Sequence, residues 1–313
     1  MPRFLLTLSL LVALLTACSA RPTPTPIEVT ATPAPPIFRI VAYATDGIVE
    51  SIIPYDKLTH INYSFLTPKD DGTFNLINND WKLRDIVKSA RQNDVKVLIS
   101  VGGWGWDKQF ETVAVDPQLR SAFVQNLKTF VDDFNLDGAD IDWEYPDAGE
   151  SAQHFLALIQ ELRAAMPEKL LTAAAVSYGE NAMGILPETF DIFDFLNIMT
   201  YDGPDHGTMA QFEKGLSFWT ARGLPKEKIV MGIPFYGDPD MPYRKLVQND
   251  SAAAQMDTYD FFGSVYHYNG IPTVQAKTKL AMQQANGIMF WTLDFDIQGE
   301  FSLVNAIYQT SHP

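Results

Sequence analysis

The sequence predicts an α/β fold, a (β/α)8 TIM barrel, on three observations. From Ile37 onward, short apolar runs alternate with amphipathic stretches of helical length, the pattern of repeated βα units. Eight such runs favour a closed barrel over an open sheet. The residues with evident chemistry fall at the ends of those runs, where barrels of this kind carry their sites. A chain of 313 residues, 46% hydrophobic, is sufficient for one core of that size.

Residues 1–17 read as a signal peptide. Arg3 supplies the positive start, and Phe4 to Leu15 is apolar yet short for a bilayer span. Leu15-Thr16-Ala17-Cys18 resembles the lipobox of bacterial lipoproteins, in which the signal is removed before the cysteine and the new terminus is acylated. Cys18 is the only cysteine, and it stands where a lipobox requires one. The competing reading is an ordinary secretory signal cleaved nearby, for example after Ala20. Residues 18–36 then form a lipidated cysteine and a linker. Six prolines and four threonines in residues 19–36 leave few backbone donors and little apolar mass, so this segment is expected to be an extended spacer. The expectation is an envelope or cell-surface protein, membrane-anchored through its lipid alone, or else a secreted one.

Residues 37–313 form the predicted barrel. Strands are expected at Arg39–Ala44, Thr59–Phe65, Val95–Val101 and Gly138–Glu144, then at Leu171–Val176, Phe195–Thr200, Ile229–Ile233 and Gly287–Trp291. Helices are expected at Trp81–Gln92, Pro117–Phe134, Ala152–Met166, Met209–Arg222, Val274–Ala285 and Leu303–Tyr308. The second opens with Asp116 as N-cap and Pro117 at the first helical position. Residues 238–286 must supply a helix as well as a connection, which leaves too little chain for an insertion with its own core. Asp238 to Asn269 is therefore expected to be a long rim loop. Its Tyr243, Tyr259, Phe261, Phe262, Tyr266 and Tyr268 would pack it down or line a groove.

The most informative segment is Asp137-Gly138-Ala139-Asp140-Ile141-Asp142-Trp143-Glu144-Tyr145-Pro146. On a strand, Asp140, Asp142 and Glu144 share one face, and Ala139, Ile141 and Trp143 share the other. Successive carboxylates would lie only about 6.5–7 Å apart. Such crowding raises at least one carboxyl pKa, which a general acid working near neutral pH requires. The bland alternative is a half-solvated strand with its acids turned to water.

The same segment matches the DGxDxDxE signature of glycoside hydrolase family 18, the chitinases and their relatives, at every defined position. Ser100-Val101-Gly102-Gly103 resembles the family's SxGG motif, and Met199-Thr200-Tyr201-Asp202 its MxYD motif. Gly232-Ile233-Pro234-Phe235-Tyr236-Gly237 and Gly287-Ile288-Met289-Phe290-Trp291 resemble its seventh and eighth strand ends. The resemblance implies hydrolysis of β-1,4-linked N-acetylglucosamine glycans by a substrate-assisted, retaining mechanism. Glu144 would be the acid and later the base. Asp142 would orient the 2-acetamido group, whose carbonyl oxygen attacks the anomeric carbon. Asp140, deeper, would tune Asp142 through a shared proton or hydrogen bond, and Tyr201 would bond the acetamide oxygen. Trp291 is the expected floor for the reacting sugar. Tyr43, Phe65, Trp104, Tyr145 and Tyr236 fall near other strand ends as contacts or as packing. Asp202 would touch substrate or the acids, Gly103 would border the subsite, Met199 would lie beneath it and Trp106 on the rim. Many chitinases carry an α+β insertion after the seventh strand. Without one, the cleft is expected to be shallow, open and suited to internal cutting.

Charge and composition narrow the partners. The net charge of -15 argues against nucleic acid and anionic membrane surfaces and fits a neutral glycan. The histidines are scattered without metal-ligand spacing, and the lone cysteine lies outside the barrel, so neither a metal nor another cofactor is expected. A monomer is expected. Two other readings stay open at this point. One is an endo-β-N-acetylglucosaminidase or cell-wall glycan hydrolase on the same scaffold. The other is a non-catalytic carbohydrate-binding protein, against which the presence of Glu144 speaks.

Overall fold

The computed structural model describes residues 37–313. The expected signal peptide, the lipidation site Cys18 and the Pro/Thr-rich linker lie outside the described residues. Eight parallel strands close into a barrel: β1 (Arg39–Thr45), β2 (His60–Leu66), β3 (Lys96–Gly102), β4 (Gly138–Asp142), β5 (Leu170–Val176), β6 (Phe195–Met199), β7 (Ile229–Pro234) and β8 (Gly287–Trp291). Each neighbours its successor, and β8 closes on β1, with Arg39 opposite Gly287. This is the (β/α)8 arrangement.

Strand alternation sorts the side chains into two layers. Val41, Tyr43, Phe195, Val230 and Met289 fill the barrel interior. Ile40, Ala42, Ala139, Ile141 and Trp143 face outward, beneath the helices. Trp143 stacks on Phe110 with centroids 5.1 Å apart and donates its indole N–H to Asp107 at 2.7 Å. Burying a ring such as Phe110 stabilises by roughly 1.5–3 kcal/mol. The bland reading of the acidic strand fails here, because Asp140 and Asp142 are buried inside the barrel rather than turned to water.

The helices are α1 (Asp80–Arg91), α2 (Asp107–Val115), α3 (Pro117–Asp133), α4 (Glu150–Ala165), α5 (Met209–Ala221), α6 (Tyr243–Asn249), α7 (Ile271–Gln284) and α8 (Leu303–Ser311). Asp116 caps α3 as expected, accepting from the Gln118 amide at 2.7 Å. Helix α2 is absent from the sequence prediction. Its apolar face is short, only Phe110, Val113 and Ala114, and its ordering comes from packing against Trp143 and α3.

Most strand boundaries differ from expectation by a residue or two, and two of these shifts bear on the site. β4 ends at Asp142 and β6 at Met199, so Glu144 and Tyr201 stand just beyond the ladder, on the rim. The ladder from β4 to β5 stops at Ile141 opposite Ala173, and the Asp142 carbonyl turns to accept from the Gly103 amide at 2.9 Å. That turn depends on Gly102, whose φ is +109°. A Cβ there would lie 2.4 Å from the Asp142 carbonyl oxygen and 2.5 Å from Phe110.

The expected rim loop over Asp238 to Asn269 is instead structured. It holds helix α6 and an antiparallel hairpin, Thr258–Phe261 with Ser264–His267. Buried aromatics give it this order. Tyr243 donates to the Phe301 carbonyl at 2.9 Å, and Tyr268 to the Ala253 carbonyl at 2.7 Å. Phe262, at the hairpin tip, is exposed.

Candidate active site

A cavity of about 170 Å³ opens at the C-terminal end of the barrel. Tyr43, Phe65, Trp104, Asp142, Glu144, Met199, Tyr201, Asp202, Tyr236 and Trp291 line it. Residues from seven separate places in the sequence thus converge on one spot, as the strand order requires. A larger cavity, about 260 Å³, lies beside α8. Its acid, Asp296, is occupied in capping that helix through the Leu303 and Val304 amides and Ser302.

Asp140 lies beneath the cavity with no exposure at all. Its carboxylate accepts four hydrogen bonds, from Tyr43 and Ser100 at 2.8 Å each, Thr172 at 2.6 Å and Asn197 at 3.1 Å. The strand register supplies two of these donors directly, since Ser100 and Thr172 flank Asp140 on β3 and β5. Burial pushes the Asp140 carboxyl upward, and the four donors oppose that rise. Asp142 is in the opposite condition. Its Oδ1 is buried with no hydrogen-bond partner, and burial, then the charges of Glu144 and Asp140, hold its carboxyl well above the usual range. The expected hydrogen bond between Asp140 and Asp142 is not found among the described residues. All acceptor positions of Asp140 are taken by other donors, so the two acids communicate through charge.

Glu144, next along the chain, has its carboxyl raised to about 7. Burial is the main cause, the Tyr145 hydroxyl opposes it by hydrogen bonding, and the negative charge of Asp202 adds to it. A group poised there can deliver a proton at neutral pH and take one back. Trp291 is half-buried, stacked on Phe65 with centroids 5.4 Å apart and edge-on to Tyr43 at 5.8 Å. Gly103 lies behind this stack, with φ +88° and room for no Cβ, since one would meet the Phe65 ring at 2.8 Å. Tyr145 adjoins Glu144 and packs against the interior cluster. Trp104 stands 78% exposed at the mouth. Trp106 does not line this cavity. It is half-buried in a neighbouring one that shares the Phe65 wall.

Tyr201 and Asp202 are held by Tyr236, which the sequence singled out, and by His206 and Gln211, which it did not. Asp202 adopts φ +62°, a conformation costly for a residue with a side chain. Its amide donates to His206 Nδ1 at 3.1 Å, which places the ring proton on Nε2, directed at the Tyr236 carbonyl 3.2 Å away. The Gln211 amide nitrogen donates to the Tyr201 and Asp202 carbonyls at 3.1 and 2.9 Å. Tyr236 donates its hydroxyl to the Asp202 carboxylate. Ser100, Thr172 and Asn197 were also missed as partners of Asp140. Their signal was present as polar residues on the inward phase of strands that are otherwise apolar.

The model for the family described as glycosyl hydrolases family 18 matches residues 39–296. Among solved structures, a GH18 chitinase from the chitin utilization locus of Flavobacterium johnsoniae is 30% identical with a TM-score of 0.75, the match covering 88% of this chain and 94% of that one. A chitinase from Bacteroides thetaiotaomicron is 27% identical with a TM-score of 0.79, covering 88% and 96%. Among curated proteins, chitinase 1 of Aphanocladium album is 27% identical over 236 residues, 59% of this chain and 56% of that protein. The chain spans about half the length of the curated relatives it matches.

Proposed function

The chain belongs to glycosyl hydrolases family 18, and from that premise we propose that it hydrolyses β-1,4-linked N-acetylglucosamine glycans, chitin or its soluble oligomers, with retention of configuration. One observation carries the reading. A carboxyl raised to about 7, Glu144, borders the same cavity as a buried, partnerless carboxyl oxygen on Asp142, with Trp291 in the cavity wall.

The chemistry is the one the family resemblance implies, and these environments suit it. Glu144 gives its proton to the glycosidic oxygen as the bond to the anomeric carbon breaks. The acetamide carbonyl oxygen of the same sugar attacks that carbon, forming a bicyclic oxazolinium cation. An internal nucleophile of this kind gains the rate advantage of proximity. Asp142 Oδ1 accepts the acetamide N–H, and the resting cost of a negative charge on Asp142 is relieved when the cation forms beside it. Tyr201 directs its hydroxyl at the acetamide oxygen. Glu144, now a carboxylate, takes a proton from water, which attacks the anomeric carbon and reopens the ring.

The test is a substrate panel. The domain beginning at Ile37 is incubated with chitooligosaccharides, a high-mannose glycopeptide and peptidoglycan, and products are read by mass spectrometry. Cleavage of chitooligosaccharides is expected. Cleavage of only the glycopeptide or only peptidoglycan would replace the substrate, and cleavage of none would leave a binding protein.

We also propose that Cys18 is lipidated and anchors the domain at the envelope, supported by its position in the Leu15-Thr16-Ala17-Cys18 sequence. Cys18→Ala is expected to abolish metabolic labelling with a fatty acid and to change membrane fractionation, while the purified domain keeps full activity. Unlabelled, soluble wild-type protein as the normal mature form would overturn this.

A further inference from the structure

Lys277 lies on the inward stripe of α7, between Val274 and Ala281, where helical periodicity calls for an apolar residue. It has no exposure. Its ammonium donates to the Gly207 carbonyl at 2.6 Å and to Asn269 Oδ1 at 2.7 Å, and it sits over the Phe212 ring, 5.3 Å from the centroid. The Asn269 amide nitrogen donates to the same Gly207 carbonyl at 2.8 Å. On the other side of Gly207, its N–H donates to Gln211 Oε1 at 2.9 Å, and the Gln211 amide in turn holds the Tyr201 and Asp202 carbonyls. A continuous buried network therefore runs from α7 to the two residues that β6 delivers to the cavity.

Stability does not account for a lysine in this place. A buried ammonium is costly, and an apolar side chain of similar length is often neutral or better in its stead. The strain of burial is visible in the lysine itself. Its pKa is lowered to about 7, chiefly by loss of solvent, with the charge of Asp257 offsetting part of the fall. What a methionine could not do is grip a carbonyl oxygen. We infer that Lys277 is a positioning residue that, by fixing the Gly207 peptide, holds the loop presenting Tyr201 and Asp202 to the substrate. This rests on the glycan-hydrolase reading given above.

The grip acts on geometry at the reacting centre more than on substrate capture. Lys277→Met is expected to lower kcat on a soluble chitooligosaccharide by about 10- to 100-fold, the scale of a small misplacement at a reacting centre. KM should stay within about threefold, as befits a role in geometry rather than in substrate capture. A Lys277→Met enzyme with kcat within about twofold of the parent overturns the inference. If that variant does not fold, Asn269→Ala decides. It removes the second donor to Gly207 and one lysine acceptor, and kcat should fall at least about threefold with KM unchanged. An unchanged kcat there overturns the inference equally. A parent enzyme inactive on chitooligosaccharides would refute the hydrolase reading itself, whereas a fully active variant refutes only the role of Lys277.

Discussion

Glu144→Gln is expected to lower kcat by about 10²–10⁴-fold, the usual contribution of a positioned general acid. The amide has nearly the shape of the carboxylic acid and carries no transferable acidic proton. Glu144 stands beyond the last ladder residue of β4, so neither fold nor oligosaccharide affinity should change, as circular dichroism and titration calorimetry would report. The pH profile gives an independent check. The acid must be protonated to act, and its carboxyl is raised to about 7. Hence kcat/KM of the wild type should hold below neutrality and fall about tenfold per unit as pH rises above it. The residual rate of the glutamine variant should lack that limb. Retention of more than about a tenth of wild-type activity would remove Glu144 from the acid role.

Asp142→Asn should depress turnover by about 10²–10³-fold, the scale for removing one preorganised electrostatic contact to a transition state. Substrate binding should change little, because the contact strengthens only as the acetamide becomes cationic. The buried Oδ1 gives up no existing hydrogen bond on substitution, so the melting temperature should be nearly that of wild type. The same scheme predicts that de-acetylated sugar in the reacting subsite is turned over poorly and that products first appear with retained anomeric configuration. A rapid NMR assay showing inverted product would sink internal nucleophilic attack.

The barrel was legible because each strand is a contiguous apolar run and each long helix has a regular stripe. The acids were legible because Asp140, Asp142 and Glu144 alternate along one phase of β4 and the two residues that follow it. What escaped was whatever depends on contacts between distant segments. α2 is ordered by Trp143, which belongs to another βα unit, and α6 with its hairpin by Tyr243 and Tyr268 seeking buried acceptors. The relation between Asp140 and Asp142 escaped for a different reason. Spacing puts the two acids side by side, but only the inventory of donors around Asp140 shows that it has no lone pair left for its neighbour.

That inventory also ranks the three acids by how far each is woven into the scaffold. Asp140 ties together β1, β3, β5 and β6 through Tyr43, Ser100, Thr172 and Asn197, so it works as a keystone as much as an electrostatic neighbour. Asp142 is enclosed but only loosely tied, and Glu144 hangs free of the ladder. Mutations are therefore filtered unequally along a five-residue stretch. A change at the innermost acid meets a penalty in folding before any in chemistry, while a change at the outermost meets one in chemistry alone. On the function proposed above, a lineage built on this barrel could lose Glu144 in a single step and keep the rest of the cavity intact. It cannot shed the keystone so lightly.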